Sequence, residues 1–213
     1  MCLKQDNLKD IAYKAIKQKI ISCQYPPNTF LSELEISNEL GVSRTPIREA
    51  LNKLEQENLV KIYPKRGVMV TDIPINEIHE IFQARLLLEP NIILMYGHTI
   101  DKQCFVELKK KLTAIINGEN IPPFDIDQDI HSVITKSCNN RYFISMLDNI
   151  YDQNHRLRII SSQKDHDRIS QTVQEHMCIV DRMLEGNYKA ASAAMCTHLE
   201  NARTVAIKGL LAK

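Results

Sequence analysis

The sequence lacks long apolar runs, paired-cysteine motifs and tryptophan. A helix that crosses a membrane needs about 20 consecutive apolar residues, and no stretch approaches that length, so we expect no membrane span. The opening residues MCLKQD lack the apolar core of a signal peptide, which predicts a cytoplasmic protein. The six cysteines form no CxxC pair and no framework spacing. They are therefore expected to be reduced, mostly buried thiols.

A large excess of charge is also missing. The net charge is +1 over 213 residues, which argues against indiscriminate binding to nucleic acid. Residues 41–67, however, hold six basic and three acidic side chains, a local excess of +3. A small basic surface on a nearly neutral chain is typical of a protein that reads one DNA site.

A helix-turn-helix is predicted around Gly41. Glycine takes the left-handed conformation at low cost, so Gly41 fits the end of a helix. Ser43 fits an N-cap, and Pro46 is tolerated in the first turn of the next helix. That helix would carry Arg44 and Arg48 near its start, where two guanidinium groups can enter a major groove.

The first third of the chain predicts a winged helix. Helical periodicity covers residues 8–23, 32–40 and 45–58, and strand-like segments cover 60–63 and 68–71. The two strands flank a basic tip, Lys65-Arg66-Gly67. A hairpin with a basic tip after a helix-turn-helix indicates a wing. The alternative is a solvated basic face on a protein-interaction module.

These motifs resemble the winged-helix domain of GntR-family bacterial transcription regulators. In that family, the arginine before Thr-Pro, the arginine one turn later and the wing-tip Arg-Gly contact DNA. The resemblance therefore implies that DNA is bound by Arg44, Thr45 (through a phosphate), Arg48, Arg66 and Gly67. One departure is Leu34, where some relatives carry a basic residue. The matching motifs are Pro26-Pro27, Leu31-Ser32-Glu33, Leu40-Gly41-Val42-Ser43-Arg44-Thr45-Pro46-Ile47-Arg48-Glu49-Ala50-Leu51, Leu54-Glu55, Pro64-x-Arg66-Gly67 and Val70.

The rest of the chain predicts helices only. Residues 71–76 form a candidate linker, which divides the chain into a DNA-binding domain at 1–72 and a helical domain at 73–213. Short polar turns between long helices predict an antiparallel bundle, so the fold class is mainly α. Pro90 is a candidate kink in the first bundle helix. That helix starts near residue 76, and the others cover 102–116, 124–137, 142–161, 168–185 and 188–211.

Four side chains of the predicted bundle form a candidate metal site. Asp127 and His131 are four residues apart, so they share a helical face. His176 and His198 each lie 11 residues from Asn187, where the helix breaks. An antiparallel hairpin would bring these two histidines to the same height. Three imidazoles and a carboxylate facing one core suit Zn²⁺, Ni²⁺ or Mn²⁺.

The same residues carry a second resemblance, over residues 76–211, to the FCD ligand-binding domain of FadR-like GntR regulators. The departure is Ile130, where relatives usually have phenylalanine. The alternative for each histidine is a hydrogen-bonded core residue. The matching motifs are Asp127-x-x-x-His131, Glu175-His176, Gly186-Asn187-Tyr188 and His198-Leu199.

This second resemblance implies a metal that leaves coordination positions open for water or a carboxylate, with a small organic acid as effector. Arg85 and Arg158 are candidate clamps for that acid, and a salt bridge within the bundle is an equal alternative for each.

The predicted function is a metabolite-responsive transcription regulator, with repression as the working expectation. A homodimer on a palindromic double-stranded operator is implied, because a two-fold site needs two reading helices. One alternative is a metal-dependent enzyme with Glu175 as the base. Helical neighbours are about 100° apart, so Glu175 is expected to point away from His176. Another alternative is a direct metal sensor.

Overall fold

The computed structural model describes residues 2–119, 122–161 and 166–211. The chain divides into two compact units. The first comprises Met1–Pro74 and His155–Ile160, and the second comprises Ile75–Asn154 and Ser161–Lys213. In the described parts of the chain, no helix is long and apolar enough to cross a membrane.

The first unit contains three helices and a small sheet. The helices are α1 (Cys2–Ile21), α2 (Glu33–Leu40) and α3 (Arg44–Gln56), and the strands are β1 (Phe30–Leu31), β2 (Val60–Tyr63) and β3 (Gly67–Val70). The strand order is β1-β3-β2, and both pairings are antiparallel. Aliphatic side chains from α1, α3 and the sheet form one core, which holds the turn and the hairpin in fixed positions.

The turn between α2 and α3 has the local structure that the sequence predicts. Gly41 has φ +64°, and the N–H groups of Gly41 and Val42 donate to the carbonyl of Ser37. Ser32 caps α2, although its hydroxyl accepts from Leu34 N and not from the third residue of the helix. Ser43 occupies the N-cap position of α3 but forms no capping hydrogen bond with its side chain.

The second unit is all helical within the described residues. It contains α4 (Ile75–Tyr96), a 3₁₀ turn (Gly97–Thr99), α5 (Lys102–Ile116), α6 (Pro123–Ser137), α7 (Arg141–Ile160), α8 (His166–Leu184) and α9 (Tyr188–Leu211). The segment His155–Ile160 of α7 groups with the first unit by its contacts. Apolar side chains from α4 to α9 form one core, and the mainly α fold class is confirmed.

Several expectations about local structure were wrong. The first helix begins at Cys2 and not near residue 8, and the short strand β1 was not expected. Helix α4 continues through Pro90 as one element, and the kink at Pro90 stays a prediction. Of the cysteines whose side chains are described, all are free thiols and only Cys138 is buried.

Candidate nucleic-acid interface and candidate metal centre

The start of α3 presents the predicted DNA-binding side chains to solvent. Arg44, Thr45 and Arg48 are all exposed, while Pro46 and Ile47 of the same turn are buried. The buried pair fixes the helix against the core of the first unit. The exposed arginines therefore project from a rigid element, as a helix that reads a groove requires.

A groove lies between the start of α3, the start of α2 and the wing. Within it, Nε of Arg48 donates to Oε2 of Glu33 at 2.7 Å. Leu34, at the position where some relatives are basic, lines this groove with 48% of its surface exposed. The groove is lined by Phe30, Leu31, Ser32, Glu33, Leu34, Glu35, Arg44, Arg48 and residues 62–68.

The wing tip carries Arg66 and Gly67. Arg66 is exposed, and its guanidinium carbon lies 5.6 Å from the centre of the Phe30 ring, a cation–π distance. Gly67 has φ +102°, and a Cβ built there would lie 2.8 Å from the carbonyl oxygen of Leu31. Only glycine tolerates both this positive φ and this close approach of a carbonyl oxygen, so Gly67 is required for the wing to pair with β1.

The structure brings the four predicted metal ligands together in the second unit. One potential ligand atom from each of Asp127, His131, His176 and His198 lies within 4.8 Å of all the others. Oδ1 of Asp127 is 3.3 Å from Nε2 of His176, 3.8 Å from Nε2 of His131 and 4.0 Å from Nε2 of His198. All four side chains are buried, with exposures of 1–4%.

Local sequence explains this convergence. Asp127 and His131 lie one turn apart on α6, while α8 and α9 form a hairpin. The hairpin turns at Gly186, whose φ is +73°, and Asn187 caps α9 by accepting from Ala190 N. The rings of His176 and His198, equally distant in sequence from Asn187, have centroids 4.4 Å apart.

Two carboxylates that sequence reasoning did not place at the site orient two of the histidines. Nδ1 of His131 is hydrogen-bonded to Oε2 of Glu89 from α4, and Nδ1 of His198 is 2.8 Å from Oε2 of Glu175. A carboxylate at Nδ1 leaves Nε2 as the atom that faces a metal. The expectation that Glu175 points away from the site was therefore wrong. The Arg85-x-x-x-Glu89 spacing was the available signal for Glu89.

The second carboxylate is held by several donors. Arg168 donates to both oxygens of Glu175 at 2.8 and 3.1 Å, and Asn201 donates at 2.8 Å. Burial alone would raise the pKa of Glu175, but the hydrogen bonds from His198, Arg168 and Asn201 lower it to about 2. Burial, reinforced by His176, lowers the pKa of His198 to about 3. His198 is therefore a neutral imidazole at pH 7, the form that binds metals.

Arg85 lies beside the cluster and is only 1% exposed. Its Nε donates to Oε1 of Glu89 at 2.7 Å, and its Nη2 is 3.2 Å from both ring nitrogens of His131. Burial opposes the ionised form of Glu89, but the charge of Arg85 holds the pKa of that carboxyl below its usual range. The guanidinium carbon of Arg85 also lies 5.4 Å from the centre of the Tyr151 ring, whose hydroxyl is 2.7 Å from that of Thr135.

The other candidate arginine is Arg158, which is half-buried near the end of α7. It stands seven residues beyond Tyr151, or about 10 Å along the helix. Its part in effector binding stays a prediction.

The cluster fits a divalent cation on the evidence of its own atoms. Nε2 of His198 is fully buried and has no hydrogen-bond partner within the described residues. A buried polar atom without a partner is costly, and a cation would satisfy it. Three imidazole nitrogens and one carboxylate are also a donor set that transition metals favour.

Family models match both units. A model for the FCD domain matches residues 80–201, more than half of the chain. A model described as bacterial regulatory proteins, gntR family, matches residues 8–70.

Relatives along most of the chain are transcription regulators. The uncharacterized HTH-type transcriptional regulator YdhC of Bacillus subtilis (strain 168) is 27% identical over 194 residues, covering 89% of this chain and 86% of its own. The HTH-type transcriptional repressor RspR of Escherichia coli (strain K12) is 26% identical over 195 residues, covering 88% of this chain and 84% of its own.

Solved structures share the fold. A GntR transcriptional regulator from Rhodococcus sp. RHA1 has a TM-score of 0.79 at 22% identity, covering 95% of this chain and 98% of its own. The Zn²⁺-bound FCD domain of TM0439 has a TM-score of 0.54 at 19% identity, covering 67% of this chain and 99% of its own. The chain belongs to the gntR family of bacterial regulatory proteins and to its FCD branch, and it is a DNA-binding transcription regulator and not an enzyme.

Proposed function

We propose that this regulator reads its operator with Arg44, Arg48 and Arg66, and that its helical unit binds a divalent metal and a small organic acid. Arginine binds O6 and N7 of guanine with two parallel hydrogen bonds, a contact worth about 1–3 kcal/mol of discrimination. Thr45 suits a phosphate contact, and Gly67 lets the wing backbone approach a groove closely. The exposure of these side chains on rigid elements supports their roles.

The buried cluster of Asp127, His131, His176 and His198 is the observation that carries the metal proposal. Their carboxylate and Nε2 atoms would hold Zn²⁺, Ni²⁺ or Mn²⁺, while Glu89 and Glu175 fix the ring orientations. When bound, the metal supplies a Lewis acid that attracts the carboxylate of an effector. The solved FCD domain with bound Zn²⁺ gives a precedent in another protein of this fold.

Arg85 is the residue best placed to recognise the acid. One edge of its guanidinium is held by Glu89, and its Nη2 lies against His131. If Nε2 of His131 binds a cation, that nitrogen can no longer accept from Arg85. The Nη2 group would then be redirected to a carboxylate, so one arginine couples the metal site to the effector.

The active form is a homodimer on a palindromic operator in the cytoplasm, acting as a repressor. Two reading helices are needed to bind both halves of a two-fold site. Effector binding would shift the population between dimers that fit and do not fit the operator spacing. Repression is favoured by the relative RspR, which is named a repressor.

The decisive experiment replaces both hairpin histidines, as His176→Ala with His198→Ala. We expect native mass spectrometry after incubation with Zn²⁺, Ni²⁺ or Mn²⁺ alone to show a bound ion in the unaltered chain and none in this variant. The matched control is His79→Ala with His98→Ala, which removes two exposed histidines of the same unit. Full occupancy in the first variant would refute the metal site.

The same samples distinguish a metal cofactor from a metal signal. Operator binding would be measured on a duplex that the unaltered chain enriches from a random-sequence pool, with chelated and metal-restored protein. Acetate, succinate and citrate would then be titrated separately. A response to these acids only in metal-restored protein supports an effector that binds through the metal. A response to metal alone supports the direct sensor.

A further inference from the structure

The two arginines at the start of α3 are held differently. Arg44 has no ion pair within the described residues, whereas Nε of Arg48 donates to Oε2 of Glu33 at 2.7 Å. The Arg48 side chain remains 62% exposed, and that of Glu33 is 28% exposed. We infer that Glu33 is a positioning residue for DNA recognition, which orients Arg48 toward one base pair. This inference rests on the proposed role of Arg48 in reading DNA.

Glu33 is suited to this role because its backbone is fixed. It is the first residue of α2, next to Ser32, whose hydroxyl accepts from Leu34 N at 3.2 Å. Ile36 buries the other face of α2 in the core. A carboxylate is also favoured at the N-terminus of a helix, where the backbone N–H groups create positive potential. The acceptor for Arg48 is therefore held by the fold itself.

The bond to Glu33 limits how Arg48 can approach a base. A guanidinium group has five N–H donors in one plane, arranged along more than one edge. Since Nε is bonded to Glu33, the edge formed by Nη1 and Nη2 remains for O6 and N7 of guanine. The carboxylate also repels phosphates near Arg48, which disfavours binding at incorrect sites. Glu33 would therefore increase selectivity more than affinity.

Glu35 offers a matched control for Glu33. It lies in the first turn of α2, lines the same groove and carries the same charge, but within the described residues it forms no hydrogen bond or ion pair with Arg48, whose ion pair is with Glu33. We would compare Glu33→Ala with Glu35→Ala in the full chain, because alanine removes the oxygen that accepts from Arg48, whereas glutamine would keep it. The probes are the duplex enriched by the unaltered chain and a scrambled duplex of equal length and composition.

The expected result separates orientation from charge. Both variants should bind the scrambled duplex more tightly, because each removes a negative charge near phosphates. Only Glu33→Ala should lower the ratio of specific to scrambled affinity. The expected fall is about two- to tenfold, the cost of immobilising one long side chain at an interface. It should also relax base preference at the same position as Arg48→Ala.

Two outcomes would overturn the inference. If both alanine variants change the ratio equally, Glu33 contributes only its charge. If Glu33→Ala still lowers the ratio in an Arg48→Ala background, Glu33 does not act through Arg48. Failure of the proposed role of Arg48 in reading DNA would give a different result, because Arg48→Ala would then leave base preference unchanged at every position. That result would overturn both the role of Arg48 and the role of Glu33.

Discussion

Replacing Glu175 with glutamine tests whether a carboxylate outside the four-residue cluster controls metal affinity. Oε1 of Glu175 accepts from Arg168 and Asn201, and Oε2 accepts from Arg168 and Nδ1 of His198. Glutamine keeps the shape but replaces one oxygen with an NH₂ group. Whichever way the amide is oriented, two of these contacts then place a donor against a donor. The charge that favours the bond from His198 is lost in both orientations.

The magnitude follows from this rearrangement. Removing a partner that orients a metal-binding histidine typically weakens metal affinity by about 10- to 100-fold. This corresponds to roughly 1.4–2.8 kcal/mol of binding free energy. The four proposed ligands themselves remain in place. We therefore expect weaker binding of Zn²⁺ in Glu175→Gln and not its loss.

The assay is a competition titration of metal-free protein with Zn²⁺ against a chromophoric chelator. The matched control is Glu185→Gln, an acidic residue just after α8 whose partner Arg182 is 2.9 Å away on the exposed surface. The control should bind Zn²⁺ like the unaltered chain. If Glu175→Gln also binds Zn²⁺ within about twofold of the unaltered chain, Glu175 does not orient His198 as the geometry implies.

Two further predictions concern the reading helix and the buried ion pair. Arg44→Ala should abolish operator binding at physiological salt, while its circular dichroism spectrum stays that of the unaltered chain. The control Lys53→Ala, on the same helix, should retain most of the affinity for the operator. Unchanged operator binding by Arg44→Ala would contradict the recognition-helix assignment. Glu89→Gln should lower the free energy of unfolding in urea by about 3 kcal/mol, because it removes the carboxylate that bonds the buried charge of Arg85. Glu185→Gln should change it by less than about 1 kcal/mol, and equal stabilities of the two variants would refute the role of the Arg85–Glu89 pair.

Much of the fold could be predicted because local sequence determines it. The spacing of apolar residues and the flanking turn residues predicted α5 and α9 with the bounds that the structure has. Gly41 and Gly186 both adopt positive φ at the ends of helices, as expected for residues without a Cβ. In each case the signal lies within a few residues of the feature it predicts.

The errors arose where distant contacts decide the structure. Strand β1 has only two residues, and its partner β3 lies almost 40 positions later, so no local pattern could indicate it. Burial of the cysteines was overestimated because a residue's average preference does not determine which helical face it occupies.

In the candidate metal site, too, local spacing was predictable from the sequence and contacts between helices were not. Helical geometry placed Asp127 beside His131, and the hairpin symmetry placed His176 beside His198. Glu175 was misjudged because the angle between neighbours on one helix says nothing about reach to the next helix. Its side chain is long enough to bond His198 of α9. Predicting such contacts requires the distance between helices, which one sequence does not provide.

Complete burial of the cluster has a consequence for the speed of metal exchange. Its donor atoms belong to residues of α6, α8 and α9 that are at most 4% exposed, so these helices must separate before an ion, or the proposed effector, can enter or leave. Such local opening is rare in a packed core, and exchange would be correspondingly slow. An ion in this site would therefore follow slow changes in the metal supply and not its rapid fluctuations. That kinetic property favours a resident cofactor over a detector of changing metal concentration.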